Sequence, residues 1–400
     1  MKQDHDICIV GGGFAGFWSA VAARRVAGPA ASIALISAGE KLQMRPRLYE
    51  KNPSALAVDL EPLLTLVDVD FVHRCATGLD TAKKRVTTAT HTYTYDRLVV
   101  ATGSVMSRPN IPGIEFAHSI DTQSEAIAFD ERLAELAARD QPTTIAVVGS
   151  GFVGIELALE LRDRFIAHDA PSVAESLRIV LVDRGTEVGV TLGEGPRPVI
   201  LEALRDARVE VRLSVGVTEL SEQSISLSDG SHLPVDAVVL ATGLVASPFT
   251  ATLPGDKDEL GRLIVDATLR VPGVPNVFVS GDAVAVDTGS GHLAMQSCQH
   301  AMTLGRYSGE NAARDLLDLP LIPYQQLRYV TCLDLGRAGA VLTSGWDRAV
   351  VSRGEEAKTT KRFINTVVIY PPENPTRETL LDASRLTPLE TAAATTVAGT

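Results

Sequence analysis

The chain has 400 residues, too many for one ordinary core and enough for two or three domains. With 45% hydrophobic and 22% charged residues it reads as a soluble globular protein, and a formal net charge of −12 with no basic stripe argues against nucleic acid as a partner. No stretch approaches the roughly 20 apolar residues of a membrane-spanning helix, and the N-terminus enters a strand too early for a secretory signal, so a cytoplasmic location is expected.

The first predicted strand, Ile7 to Val10, runs into Gly11, Gly13 and Gly16, spaced G-x-G-x-x-G, and then into an Ala-rich helix predicted over Phe14 to Ala27. Such a turn lets backbone meet a pyrophosphate, and the helix start, here Phe14 and Ala15, offers free N–H groups to the phosphates. Twenty-one positions after Gly16, IALIS places Ser37 where an acidic residue normally holds the adenosine ribose. A hydroxyl there is worth about 1 kcal/mol against roughly 1.5–3 for a charged acceptor, and Glu40 is near enough in sequence to compensate. Cys8, Cys75, Cys298 and Cys332 show neither CxxC nor disulfide-framework spacing. They read as buried small hydrophobes, with Cys75 also placed among the cofactor-contacting positions; no metal site is expected. Arg85 to Tyr95 alternates like a β-meander, and the strand that follows ends in Ala101-Thr102-Gly103.

The glycine pattern recurs at Gly149, Gly151 and Gly154, 138 positions after the first, and a second Ala241-Thr242-Gly243 follows the first by 140. Two chance matches would not keep register, so the chain contains an internal duplication of a nucleotide-binding module. In the second copy RIVLVD ends in Asp183 at the ribose position, which favours NADH because a carboxylate repels a 2′-phosphate. Arg184 follows directly and leaves NADPH open as the alternative. Asp229-Gly230 marks a hairpin, and VPNVFVSGDA carries Gly281 and Asp282.

Taken in this order, GGGFAG, the first ATG, GSGFVGIE, the second ATG and VFVSGDA resemble the two-dinucleotide-binding-domain flavoproteins of the pyridine nucleotide-disulfide reductase superfamily, over about residues 5 to 345. The resemblance implies an α/β fold: two Rossmann-like dinucleotide-binding domains, the second inserted in the first, plus a small α+β C-terminal domain. The implied FAD-binding domain is 1–113 and 248–320, with the NAD(P)H-binding domain at 114–247 between seams marked by Pro109, Pro112, Pro248 and Pro254. Residues 321–385 form the C-terminal piece, used in that family for dimer contacts or acceptor access, with strands expected at YVTCLDLG, AGAVLTSG and FINTVVIY. Residues 386–400 are expected to be a disordered tail. Asp282, after Gly281, matches the acid that in the family hydrogen-bonds the ribityl chain of FAD.

The redox cysteine pair of the superfamily is missing, so electrons are expected to leave the flavin directly to an external acceptor, and several details resemble the type II NADH:quinone oxidoreductases. MRPRLYE is similar to their flavin-proximal segment, with Pro46 at the position near the isoalloxazine, and RFIAHDAPSVAES (Arg164 to Ser176) to their long connection. HLAMQSCQHA is similar to a segment carrying A-Q-x-x-x-Q: Gln296 matches the second glutamine and His292 replaces the first, serving either the acceptor or simply the surface. Glu156 matches a glutamate facing nicotinamide and flavin. The implied activity is an FAD-dependent NAD(P)H dehydrogenase that passes electrons from NADH to a quinone or similar small acceptor. A soluble reductase of a ferredoxin- or rubredoxin-type carrier, a biosynthetic flavoenzyme, and a flavin-binding interaction protein without turnover are the alternatives. The only late helix expected, Arg377 to Leu386, is short and acidic-mixed, which leaves at most peripheral membrane contact.

Overall fold

The computed structural model describes residues 2–386, and the tail expected to be disordered falls almost wholly outside them. The larger sheet is built on parallel strands in the order Val274–Val279, Thr92–Val100, Lys2–Val10, Ile33–Ser37 and Asp70–His73. Ile33–Ser37 is buried along its whole length, as an all-apolar strand covered on both faces must be. The first glycine-loop helix, Phe14–Ala27, lies where the sequence places it and packs along the helix Cys298–Leu316, where Ser19 and Ser308 share a hydrogen bond of 3.0 Å. The first strand extends back to Lys2, because it continues pairing with Thr92 to Tyr95 beyond the apolar run that announced it. Arg85–Thr88 joins the edge as an antiparallel meander.

A second parallel sheet repeats the plan in the order His118–Ser119, Ala237–Leu240, Thr144–Val148, Arg178–Val182 and Val209–Arg212. Its meander, Val217–Leu220, Ser224–Leu227 and His232–Pro234, turns at Asp229-Gly230. Where the chain passes from one sheet to the other it does so twice, and the two crossings, Ser104–Met106 and Leu244–Ala246, pair antiparallel. The sequence is thus an α/β protein with one nucleotide-binding plan used twice.

Two expectations need correction, the strand at FINTVVIY and the end of the late helix. FINTVVIY is not a strand: the antiparallel sheet of the C-terminal piece is Val330–Asp334, Ala340–Ser344 and Ala349–Gly354, and the helix Glu355–Phe363 packs on it and continues into a π turn over Ile364–Val368. Glu355 and Glu356 in its first turn and Lys361 and Arg362 in its last match the helix dipole, and the buried positions Ala357, Lys361 and Asn365 recur every four residues. That consistency overrides the β-branched run. The connection from Arg164 to Ser176 is helical, with Phe152–Ala167 running into it and Pro171–Ser176 completing it. The late helix is Arg377–Ala383. Among the described residues no helix is long and apolar enough to cross a membrane.

Candidate functional site

Both glycine loops open into one cleft of about 2140 Å³. That exceeds the roughly 300–1,000 Å³ of a single small-molecule pocket and leaves room for more than one large ligand. The two loops have the same backbone. Gly11 and Gly149 adopt φ of 111° and 112°, and their N–H groups donate to Ile36 and Val182 carbonyls at 2.8 Å. A Cβ on Gly11 would strike the Ala101 carbonyl, and on Gly149 that of Ala241, so the two ATG segments are the walls against which the loops are pressed. Gly16 and Gly154 lie behind the loops, each with the carbonyl of its own first glycine where a side chain would begin.

Gly13 and Gly151 start the two helices with no side-chain cap, and the space beside their Cα atoms is open. The first-turn N–H groups are therefore left for an anion. Phe14, Ala15, Thr102, Gly103 and Gly243 complete this stretch of the wall. The Thr102 hydroxyl is buried with no protein partner, an unmet valence in the cleft. Two uncapped helix starts and an orphaned hydroxyl fit two dinucleotides, one per loop.

Beyond the loops the halves differ. Ser37, 6% exposed, donates to the Gly39 carbonyl (2.7 Å) and accepts from the Gly39 N–H (3.2 Å), closing its own turn. Glu40, expected to compensate for it, is instead exposed and paired with His73 at 3.0 Å, away from the cleft wall. Lys41 and Cys75 line the cleft here; Cys75 is exposed, not buried as expected, because its strand begins only at Ala76. Asp183 is braced three ways, accepting from the Ser150 N–H (2.5 Å), the Ser150 hydroxyl (2.7 Å) and the Gly185 N–H (2.7 Å). Arg184 lies beside it on the wall.

In the middle of the cleft Pro46 follows Arg45, whose guanidinium is held by Asp121 and the Ser104 hydroxyl (3.2 Å). Asp282, after Gly281, accepts from Ser104 at 2.6 Å, and burial raises its pKa above the usual carboxylate range against the pull of Ser104 and Arg45. Gln296 donates to the Asp282 carbonyl (3.2 Å) and lines the cleft. His292 does not. The turn Thr288–His292, closed by Thr288 N–H to His292 carbonyl at 2.8 Å, leaves the imidazole exposed and stacked on Trp346 at 4.5 Å, which favours the surface reading of the two.

Glu156 sits on the second loop helix and is buried on the cleft wall. It accepts from the Lys361 ammonium at 2.8 Å and from the Asp334 N–H at 2.9 Å. Burial is the larger effect and pushes its pKa up to about 7, while Lys361 and the Asp334 N–H pull the other way. For Lys361 burial is the largest single effect and lowers its pKa, but the attraction and hydrogen bond of Glu156, with Cys332 and Asp334, together raise it on balance. Asp334 in turn holds Lys358 at 2.5 Å and accepts from Tyr49 at 3.1 Å. Lys361 is 205 positions from Glu156, and nothing in the sequence pairs them; the spacing of Lys358 and Lys361 on one helix face is the only signal. Cys298 and Cys332 also reach the cleft, and burial pushes both thiols up to about 11, far from thiolate chemistry.

The family model for pyridine nucleotide-disulphide oxidoreductases matches residues 5–305. The chain is 42% identical over 389 residues to an NADH dehydrogenase-like protein of Mycobacterium tuberculosis, covering 94% of this chain and 97% of the relative. It is 28% identical over 355 residues to the demethylphylloquinone reductase of Synechocystis, covering 84% and 86%. The solved sulfide:quinone oxidoreductase of Aquifex aeolicus shares the fold, with a TM-score of 0.76 at 18% identity over 95% of this chain and 92% of that one. The paired loops, their shared cleft and these likenesses make the chain a member of the pyridine nucleotide-disulphide oxidoreductase family, an NAD(P)H oxidoreductase of NADH dehydrogenase-like type.

Proposed function

We propose that the protein is an FAD-dependent NADH dehydrogenase that delivers electrons to a quinone or similar small acceptor: NADH + H⁺ + quinone gives NAD⁺ + hydroquinone. The observation that carries this reading is that two uncapped glycine-loop helices open into one cleft with the buried Glu156–Lys361 pair on its wall. The quinone-reducing relative supports the acceptor class. When bound, FAD supplies the two-electron chemistry that no side chain offers.

The residues divide the work. In residues 1–113 and 248–320 Gly13, Phe14 and Ala15 of the first loop would hold the pyrophosphate of FAD, Asp282 would accept from its ribityl hydroxyls, and Pro46 and Gln296 would line the part of the cleft that takes its ring. In residues 114–247 the second loop holds the NADH pyrophosphate, and Asp183 offers its carboxylate to the ribose, with Arg184 as the group that would admit NADPH. The C-terminal residues 321–385 close the acceptor side. Hydride leaves NADH with one proton too few for a hydroquinone. Glu156, with its pKa near neutrality and Lys361 beside it, is the group placed to exchange that proton.

The test is anaerobic mixing of the FAD-loaded protein with NADH, followed by menadione, ferredoxin or rubredoxin. Rapid flavin bleaching and menadione turnover are expected. Bleaching slower than minutes would leave a flavin-binding protein without turnover, and carrier reduction without menadione turnover would leave a carrier reductase.

A further inference from the structure

Of the cations that line the cleft, Lys41, Arg45, Arg262 and Lys361 each face a carboxylate: Asp59, Asp121, Asp258 and Glu156. Three others form no ion pair among the described residues: Arg184, at the second ribose position, and Arg348 and Arg328, both on the C-terminal wall. Arg348 is only 6% exposed. Its guanidinium lies over the Tyr329 ring at 4.3 Å, reaches the Tyr329 hydroxyl, and makes one long hydrogen bond of 3.3 Å to the Thr191 carbonyl; Nη1 has no partner. Arg24, also buried, donates to four carbonyls at 2.5 to 3.1 Å, and the fully buried Arg164, which like Arg348 keeps nitrogens without a partner, is neutralised by Asp130 at 2.6 Å. A guanidinium keeps its charge when buried, so one with an unpartnered nitrogen and no counter-ion is costly to the fold unless something anionic meets it.

Its surroundings do not supply that anion. His300, packed against Tyr329, is held neutral, its pKa pushed down to about 4 by burial and then by Arg348. The one acid on this wall, Glu356, accepts from the Ser352 hydroxyl at 2.9 Å. In a protein of net charge −12 this local positive excess is not general surface basicity. The same wall also carries the apolar side chains Leu342, Val351 and Phe363, the last two more than half exposed.

We propose that this wall is an anion-selecting acceptor subsite, in which Arg348, assisted by Arg328, takes the carboxylate of a quinone-type acceptor while Leu342, Val351 and Phe363 take its ring. The inference rests on the reading of the protein as a quinone-reducing dehydrogenase and names the acceptor within that class. Electrons balance as before: NADH + H⁺ + quinone carboxylate gives NAD⁺ + hydroquinone carboxylate. The anion is a handle for binding and takes no part in the transfer.

The test compares naphthoquinone with its ring-carboxylate derivative as acceptors for the FAD-loaded wild type and for Arg348→Gln. Reading both acceptors in both proteins cancels their different intrinsic reactivity. The loss of kcat/KM on Arg348→Gln should be about 10- to 100-fold larger for the carboxylate, the value of a charge-assisted hydrogen bond. Arg328→Gln should show the same selectivity in weaker form. Equal loss with both acceptors would make Arg348 a structural residue and overturn the proposal. A second arm needs no turnover: calorimetric titration of the FAD-loaded protein with naphthoate and with naphthamide. Wild type should prefer naphthoate, and Arg348→Gln should weaken naphthoate binding at least about tenfold. If neither quinone is reduced, the dehydrogenase reading has failed and the titration still decides the anion site; no preference for naphthoate in wild type overturns it.

Discussion

At the end of the strand Ile33–Ser37 the first module carries a hydroxyl bonded within its own turn, whereas at the end of Arg178–Val182 the second carries Asp183 bonded to Ser150 and Gly185. The loop backbones do not differ: first-glycine φ, backbone hydrogen bonds and the carbonyl behind each glycine coincide. A second divergence lies two positions after the third glycine of each loop. Glu156 stands 138 positions after Trp18, so the first helix buries an indole where the second turns a carboxylate to the cleft. What the modules share is the phosphate cradle, fixed by close backbone packing. What distinguishes one ligand from the other is carried by the few side chains around it.

The largest effect should come from breaking the common cradle in each copy separately. Gly16→Val and Gly154→Val place carbon on a backbone carbonyl in the same geometry, which neither loop can relieve. If each module has its own ligand, Gly16→Val yields protein without flavin after desalting. Gly154→Val keeps its flavin, and bleaching by NADH slows about 100-fold or more. Flavin lost equally from both would mean that the two cradles do not act separately.

Much of this comparison is legible in the sequence, because the cradle is built from short motifs, Gly11 to Gly16, the start of the helix Phe14–Ala27 and the two ATG segments, whose order and spacing repeat even though Ala101 packs on Gly11 from far along the chain. The features that are not legible are long-range. Lys361 reaches Glu156, Asp334 reaches Tyr49, and Arg348 reaches Thr191 only because the C-terminal sheet packs on the cleft. FINTVVIY misleads for the same reason, since its β-branched residues follow a helix whose buried face sets the conformation. His292 stays open between its two readings in the sequence because a motif position does not say which way a glycine-rich turn will aim its side chain.

The second divergence predicts a smaller effect, confined to one half-reaction. With the Glu156 pKa near 7, wild-type acceptor turnover should change across neutral pH. Glu156→Gln should remove that break and slow acceptor turnover about 10- to 100-fold, with NADH-driven bleaching changed far less. Lys361→Met removes a cation that favours the ionised carboxylate, so the break should move to higher pH. A break that stays in place in Glu156→Gln would assign the titration to another group.

Asp183→Ala removes both the brace on Ser150 and the ribose acceptor, and should raise KM for NADH about tenfold while leaving flavin content unchanged. Loss of flavin here would tie the second loop to the first cofactor.

The smallest effect is the most direct test of why the copies diverged. Ser37→Glu gives up the two Gly39 contacts, worth about 1 kcal/mol together, and gains a charged acceptor worth roughly 1.5–3 kcal/mol to a ribose. The new side chain must also pass Gly12 and Leu60, which crowd this corner. A net gain of about 1 kcal/mol corresponds to about fivefold tighter FAD in a flavin titration. Glu40 cannot mask the gain from where it stands, since it is paired with His73 outside the cleft wall. Unchanged or weaker affinity would show that the cradle, with Asp282, already holds this cofactor without help at the ribose, and that the hydroxyl at Ser37 is kept for the turn rather than for the ligand.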